Sequence, residues 1–297
     1  MRLVVHRNRR RLSHDTTRAE TCNERSYEDE TGHAPDYRLM QNDFPAGIID
    51  ETAHRPWPLP DSPWLMTQSW HHLLFAHWPV DAERLRARMP PGLPLDLHDG
   101  QAWIGVVPFR MTNVAPRFVP ALPLLSEFAE LNVRTYVTVG GKPGVYFFSL
   151  DAESSMAVAA ARSLLQLPYF TADMNVRCDG ERVDYSSHRT DGSGAPADLV
   201  AQYQATGPTY EPAPGTLDYF LTERYCLYNV DSRFRAYRLE IHHRPWTLQR
   251  AEADITTNSM AEAAGVRLPS IAPRLHFAKR QDALAWAPET LQPLRSS

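Results

Sequence analysis

Polar side chains recur at every second position of one otherwise apolar segment, FAELNVRTYVTV (128–139). Successive side chains of a strand point to opposite sides, so one face carries Glu130, Asn132, Arg134 and Tyr136. A carboxyl group among apolar rings can be tuned toward a neutral pKa and act as acid or base. A guanidinium offers a planar, bidentate donor to a carboxylate or phosphate. The pattern predicts a ligand-binding face with Glu130 as the catalytic residue, and a polar face turned to solvent is the alternative.

A second candidate lies at the corner that follows a small-residue helix. The segment DAESSMAVAAARSLLQL (151–167) is typical of a helix, and Pro168 ends it. Two aromatic residues, Tyr169 and Phe170, come next. Aromatic rings behind a proline often fill a gap in the core, and the alternative is that both line a ligand pocket. We therefore keep both residues as ligand-binding candidates.

The histidines form no motif for a metal. His71-His72 and His242-His243 are adjacent pairs, and each pair can offer only one ligand to a site if it lies on a strand. The sequence contains no HExxH, no zinc-type spacing of Cys and His, no GxSxG and no GxGxxG. We predict no metal and no cofactor. A metal site that the fold assembles from His77, His242 and a carboxylate is the alternative.

Strands and tight turns surround these residues. QAWIGVVPF (101–109) predicts a strand, and GGKPG (140–144) is typical of a turn that leads to a return strand over 145–150. Asp179-Gly180 is a strong hairpin signal. RFRAYRLEI (233–241) alternates in the manner of a strand. The chain therefore predicts an α+β, β-dominated fold with two or three helices.

Composition separates the N-terminal segment from the rest of the 297 residues. Residues 1–55 begin with a basic cluster and continue through a polar stretch without apolar periodicity, which predicts a disordered tail. Residues 56–297 are predicted to form a single domain. The net charge of −4 argues against a nucleic-acid partner, and no apolar run approaches the roughly 20 residues of a membrane span. The first residues lack the apolar core of a secretory signal, so we expect a cytoplasmic protein; homo-oligomerisation stays open.

Longer motifs resemble a known family. The block 128–174, WHHLLFAHWPV (70–80), LTERYCLY (221–228) and IHHRPWTLQRA (241–251) resemble the uncharacterised YqjF-like family over roughly residues 56–290. The order of strand, glycine turn, aromatic strand ending in Leu-Asp, small-residue helix and proline corner is similar to that of acetoacetate decarboxylase. The resemblance implies a closed antiparallel β-barrel with a central cavity and flanking helices.

The resemblance also implies that a reaction has been lost. In the decarboxylases the corner after the helix reads Pro-Lys-Lys, and one lysine forms the Schiff base with the substrate. Here Tyr169 and Phe170 occupy those positions. The chain has only two lysines, Lys142 and Lys279, and both lie away from the corner. We therefore expect no Schiff-base decarboxylation.

Other family positions are only partly kept. Glu130 matches the glutamate that precedes the strand in the decarboxylases, whereas their second acidic position falls near Gly105 and their substrate-binding arginine falls near Ser69. The sequence therefore predicts a β-barrel that binds a small molecule, either a small organic acid or an aromatic metabolite, without the Schiff-base lysine. The alternatives are a non-catalytic binding or interaction protein, and a lyase or hydrolase that uses Glu130 as its acid or base.

Overall fold

The computed structural model describes residues 43–45, 47–119, 126–231 and 235–291. In these ranges the chain forms twelve strands: β1 (Met66–Val80), β2 (Ala102–Pro116), β3 (Phe128–Val139), β4 (Lys142–Ala152), β5 (Tyr169–Asp179), β6 (Arg182–Arg189), β7 (Asp198–Tyr210), β8 (Cys226–Val230), β9 (Ala236–His243), β10 (Leu248–Asn258), β11 (Arg274–Ala285) and β12 (Glu289–Thr290). The same ranges contain four α-helices: α1 (Ala82–Arg86), α2 (Ser155–Leu164), α3 (Leu217–Thr222) and α4 (Met260–Ala263).

The strands belong to one sheet that closes on itself twice. Its order is β12-β9-β8-β4-β3-β2-β1-β11-β10-β7-β6-β5, with two additional pairings, β9–β11 and β4–β5. The first pairing closes a seven-stranded ring of β1, β2, β3, β4, β8, β9 and β11. The second closes a nine-stranded ring of β1 to β7 with β10 and β11. Most pairings are antiparallel, whereas β4–β5 and β4–β8 are parallel. This architecture confirms the β-dominated fold class that the sequence predicts.

Strands shared by the two rings are buried on both faces. On β3, Leu131 and Val133 belong to the core cluster of the nine-stranded ring. The alternate residues Glu130 and Asn132 face the interior of the seven-stranded ring and are only 3% and 5% exposed. The polar face of this strand is therefore not a solvent face, because a second layer of the same sheet covers it.

A bulge in β1 directs its side chains into the seven-stranded ring. His72 has a φ of +52°, and the register of β1 against β2 shifts between His71 and Ala76. Trp70 lines the ring interior before the bulge, and Leu73 lines it after. An inserted residue changes the alternation of a strand, so both halves contribute large side chains to the same space.

Part of the segment predicted as a disordered tail is ordered. Ile48 is buried against Leu284 and Trp286. The buried Arg55 guanidinium lies 3.2 Å from a carboxylate oxygen of Glu240. The folded domain therefore begins before residue 56, because partners on β9 and β11 compensate for the weak apolar pattern of this segment. Residues 1–42 lie outside the described part of the chain.

Candidate functional site

The seven-stranded ring encloses a cavity of about 100 Å³. Its wall is largely apolar, and a few polar side chains interrupt it. Of the six residues predicted from the sequence to form a site, four line this cavity: Glu130, Asn132, Arg134 and Tyr169. A concave, mostly apolar space with a few convergent polar groups is the usual form of a small-molecule site.

Glu130 carries its proton at neutral pH. Burial raises the pKa of its carboxyl group to about 8, and the nearby Asp151 carboxyl also favours the protonated form. The hydroxyl of Tyr169 donates a hydrogen bond of 2.8 Å to Oε2 of Glu130, which opposes this rise in pKa only in part. The site therefore contains a neutral carboxylic acid that can donate a proton.

The proline corner explains how Tyr169 reaches Glu130. Strand β4 lies between β3 and β5, and it pairs in parallel with the first residues of β5, Leu150 opposite Tyr169. The amide of Leu150 donates a hydrogen bond of 3.0 Å to the carbonyl of Pro168, which fixes the corner against β4. The Tyr169 side chain then crosses into the ring.

Arg134 and Asn132 keep hydrogen-bonding capacity within the cavity. Arg134 donates one hydrogen bond of 3.1 Å from Nη2 to the carbonyl of Leu221, and its Nε has no partner. Oδ1 of Asn132 is also buried without a partner. Among the described residues Arg134 forms no ion pair. Buried polar groups without a partner are uncommon in proteins, so these two atoms have hydrogen-bonding capacity that the described residues do not use.

The other two predicted site residues lie elsewhere. Tyr136 is fully buried beyond the cavity, where its hydroxyl donates to the carbonyl of Leu221 at 2.8 Å and meets Nε2 of His77 at 2.6 Å. Phe170 does not line the cavity, and its ring packs against the guanidinium of Arg189 at 4.1 Å. Tyr169 and Phe170 are neighbours on β5, so their side chains point to opposite faces of the sheet.

Several lining residues are absent from the prediction. Trp70 and Trp246 stack at 5.9 Å between ring centroids. Arg224 is buried, and its Nη1 donates to Asp96 at 2.7 Å. Burial lowers the pKa of His243 to about 4, so this imidazole is neutral at pH 7. All four lie within the three shorter sequence blocks that carry the family resemblance. Those blocks were the feature of the sequence that could have pointed to these residues.

No group of three or more His, Cys, Asp or Glu side chains is arranged to hold a metal ion in the part of the chain that the structure describes. His77 contacts Tyr136, whereas Nε2 of His242 contacts the carbonyl of Ile48 at 2.7 Å. The two histidines of the alternative metal site therefore have different surroundings. Within the described ranges, no helix is long and apolar enough to cross a membrane.

The double-ring sheet is the fold of acetoacetate decarboxylase-like proteins. The enduracididine biosynthesis enzyme MppR, solved with pyruvate, is similar with a TM-score of 0.54 and 11% identity over 79% of this chain and 93% of that one. The acetoacetate decarboxylase of Legionella pneumophila matches with a TM-score of 0.51 and 14% identity over 83% and 96% of the two chains. An acetoacetate decarboxylase-like enzyme from Sphingomonas wittichii RW1 has a TM-score of 0.53 and 13% identity over 78% and 94%. At these identities the likeness shows the fold alone.

Sequence comparison places the chain more narrowly. Residues 67–282 match the DUF2071 family, described as an uncharacterized conserved protein, and the chain belongs to this family. It is 48% identical to the uncharacterized protein YqjF of Bacillus subtilis (strain 168) over 228 residues, which cover 77% of this chain and 93% of that one. The resemblance inferred from the sequence motifs is confirmed.

Proposed function

We propose that this protein binds a small organic acid in the cavity of the seven-stranded ring, with Arg134 paired to the carboxylate. The observation that carries the proposal is the half-buried side chain of Arg134, which lines the cavity, has a buried and unpartnered Nε, and has no carboxylate partner in the described residues. A charged group that is partly withdrawn from water and has no counter-charge destabilises the protein. An anionic ligand would supply that counter-charge.

The charges on the cavity wall favour an anion. Arg134 and Arg224 both line the cavity, and only Arg224 has a carboxylate partner, Asp96. The raised pKa of Glu130 keeps its carboxyl group neutral at pH 7. The wall therefore carries a net positive charge, and an incoming carboxylate meets no repulsion from Glu130.

The volume favours a small acid over an aromatic metabolite. The cavity of about 100 Å³ is smaller than the roughly 150 Å³ of an engineered protein cavity that binds benzene, so a short acid fits it better than an aromatic ring does. The rings of Trp70 and Trp246 stack on each other at the wall, so one face of each indole is already covered. Pyruvate, with which MppR has been solved, is a reasonable first probe.

Schiff-base chemistry is not part of the proposal. Nζ of Lys142 lies 2.5 Å from a carboxylate oxygen of Glu240, and Lys279 is exposed on β11. Neither lysine lines the cavity. The phenol of Tyr169, at the position of the decarboxylase lysines, cannot form an imine.

A second candidate function is a lyase or hydrolase with Glu130 as general acid. The neutral carboxyl group lines the cavity, and the hydroxyl of Tyr169 holds Oε2 in place. General acids work best when their pKa is near the operating pH, and a pKa of about 8 meets that condition. If the protein only binds its ligand, then none of the acids that bind should be converted to a product.

Calorimetric titration with acetate, propionate and pyruvate tests the proposal. We expect binding in the wild type and a loss of affinity of at least about tenfold in Arg134→Gln, because a hydrogen bond to a charged group is removed. Arg250→Gln, an exposed position on β10, is the matched control and should bind as the wild type does. Equal affinities of Arg134→Gln and the wild type would refute the proposal.

A further inference from the structure

Unpartnered polar atoms on the cavity wall define the ligand more closely than charge alone. Among the residues that line the cavity, three have a buried atom without a hydrogen-bond partner in the described part of the chain: Oδ1 of Asn132, Nε of Arg134 and Nε1 of Trp246. The amide oxygen accepts hydrogen bonds, whereas the guanidinium and the indole only donate. A molecule that complements this wall must therefore accept two hydrogen bonds and donate one.

The two donors share a neighbour, the ring of Phe75. The ring of Phe75 contacts both of them, with Cζ of Arg134 at 5.1 Å from its centroid and the ring of Trp246 at 5.0 Å, edge to face. One carboxylate can receive hydrogen bonds from both, since it has two oxygens.

The acceptor comes next along β3. Asn132 lies two residues before Arg134 on the same face, about 6.6 Å along the strand. Glu130 lies another two residues toward the start of β3, and it accepts a hydrogen bond from Tyr169. On β3 the polar groups of the wall therefore run from the Arg134 donor, through the Asn132 acceptor, to the Glu130 acid.

The part of the wall that β4, β8 and β9 form is mostly hydrocarbon. Strand β4 contributes Val145, Phe147 and Leu150, and β8 and β9 contribute Leu227 and Leu239. These side chains have no polar atom to offer. A ligand that fills the cavity needs an aliphatic part on this side.

We propose that the ligand is a short aliphatic hydroxycarboxylic acid. Its carboxylate accepts hydrogen bonds from Arg134 and Trp246, its hydroxyl donates to Asn132, and its hydrocarbon chain packs on β4, β8 and β9. This inference rests on the proposed function, because it specifies the acid that the same cavity binds. A plain carboxylic acid leaves the Asn132 oxygen unpartnered, and an oxo acid brings a further acceptor where a donor is needed.

A matched ligand series tests the inference: butyrate, 2-hydroxybutyrate and 2-oxobutyrate, titrated calorimetrically into the full-length protein and its variants. We expect 2-hydroxybutyrate to bind about tenfold more tightly than butyrate, the ratio that one hydrogen bond to a buried acceptor supplies. In Asn132→Leu, which keeps the size of the side chain and removes its polar atoms, the two acids should bind within about twofold of each other. Asn175→Leu, an exposed position on β5, is the control and should keep the wild-type ratio. Circular dichroism and thermal unfolding check that each variant folds.

Each of the other possible outcomes overturns a specific part of the inference. Equal binding of butyrate and 2-hydroxybutyrate by the wild type removes the hydroxyl from the inference and leaves the proposed binding of organic acids intact. Tighter binding of 2-oxobutyrate overturns the inference in favour of a carbonyl that accepts from the Asn132 amide nitrogen. A ratio that survives in Asn132→Leu removes Asn132 as the contact. Binding of none of the three acids overturns the proposed function together with the inference.

Discussion

Glu130 is a carboxylic acid rather than a carboxylate at neutral pH, and this one proton sets the charge of the cavity. Burial raises the pKa of Glu130 to about 8, and the Tyr169 hydroxyl remains hydrogen-bonded to it. Below that pH the cavity wall is positive through Arg134, because the charge of Arg224 is paired with Asp96. Above it, a negative charge develops beside the space where an anion is proposed to bind, so anion affinity should fall as the pH rises through about 8.

The same proton makes stability depend on pH in a calculable direction. A folded-state pKa above the ordinary value of 4.5 means that the unfolded chain releases the proton first. The contribution of Glu130 is therefore most favourable below about pH 4.5, and it is lost as the pH rises toward 8. We expect Glu130→Gln to gain stability relative to the wild type by about 1.4 kcal/mol per pH unit within this window. Urea unfolding of both proteins at pH 5 and pH 8 measures the difference.

The control for this experiment is Glu181→Gln, in the exposed turn after β5. Its stability relative to the wild type should not change between the two pH values. If the difference between Glu130→Gln and the wild type is likewise independent of pH, then Glu130 is ionised in the folded protein at pH 5, and the raised pKa is wrong.

Residue types and local spacing predicted part of the site. The period of two in 128–139 was enough to place Glu130, Asn132 and Arg134 on one face, because alternation is a property of any strand. It could not place Trp246, which is more than 100 residues away in the chain and reaches Arg134 only through the shared contact with Phe75. Such contacts depend on which strands close the ring, and no local pattern records that choice.

At the level of elements, β1 and β2 approach each other closely over Gly105. A Cβ atom added at Gly105 would lie 2.8 Å from Cδ2 of His77 and 3.4 Å from Cγ of Arg134. The His77 ring cannot simply turn away, since Nε2 is engaged with the hydroxyl of Tyr136 at 2.6 Å. The second acidic residue of the decarboxylases is expected near this position. In this chain the side chains of His77 on β1 and Arg134 on β3 fill that space.

We therefore expect Gly105→Ala to destabilise the fold by about 1–3 kcal/mol, the usual cost of overpacking a buried site. Gly192→Ala is the control, because nothing lies within 4 Å of the added atom there. Chemical unfolding of both variants gives the comparison. Equal midpoints would show that the His77 ring repacks without cost, and the close approach would then have no structural role.

A buried ion pair links β4 to β6 over the intervening strand β5. Nε and Nη2 of Arg189 donate to the two carboxylate oxygens of Asp151 at 2.6 and 2.7 Å, and both side chains are almost fully buried. Burial raises the pKa of Asp151 even with this partner present. The desolvation of the carboxyl group therefore outweighs the attraction of the guanidinium, which is typical of buried pairs.

Removing one partner should cost far more than removing both. We expect Arg189→Met to destabilise the protein by about 3–5 kcal/mol, since it leaves Asp151 buried without its counter-charge. The double variant with Asp151→Asn should recover much of that loss, because no charge remains to be desolvated. Denaturant unfolding of the two single variants and the double variant measures the coupling. Additive effects would contradict a direct interaction between these side chains.

The described strands form one sheet with two closures, and the cavity lies inside the smaller ring. Individual strands and hairpins follow from local patterns, such as the Asp179-Gly180 turn between β5 and β6. The way in which the strands assemble into a closed ring does not follow from local patterns. For example, Val145 of β4 pairs in parallel with Leu227 of β8, more than 80 residues later. Only the family resemblance predicted a closed barrel, and the comparisons with solved structures confirm that fold.

The N-terminal segment belongs to this closure as well. Residues 47–57 cover β9 and β11, the pair that closes the seven-stranded ring. Ile48 packs on Leu284 and Trp286, and Nε1 of Trp57 donates to Glu240 at 2.7 Å. Arg55 adds a hydrogen bond of 2.7 Å to the carbonyl of Ile241. These contacts lie at the far side of the strands whose inner faces line the cavity.

We expect a chain that starts at residue 58 to be less stable than one that starts at residue 43, by at least about 2 kcal/mol. Burying a large aliphatic side chain such as Ile48 contributes about 1.5–3 kcal/mol on its own. Removing Arg55 also takes one cation away from the Glu240 carboxylate, which is only 7% exposed. Urea unfolding of the two truncated chains measures the difference. Ile48→Ala with Arg55→Met in the full-length chain separates the loss of these contacts from truncation itself, and it should reproduce most of the effect. If the chain from residue 58 unfolds at the same urea concentration as the chain from residue 43, the segment is no part of the cooperative unit, and the domain begins at β1.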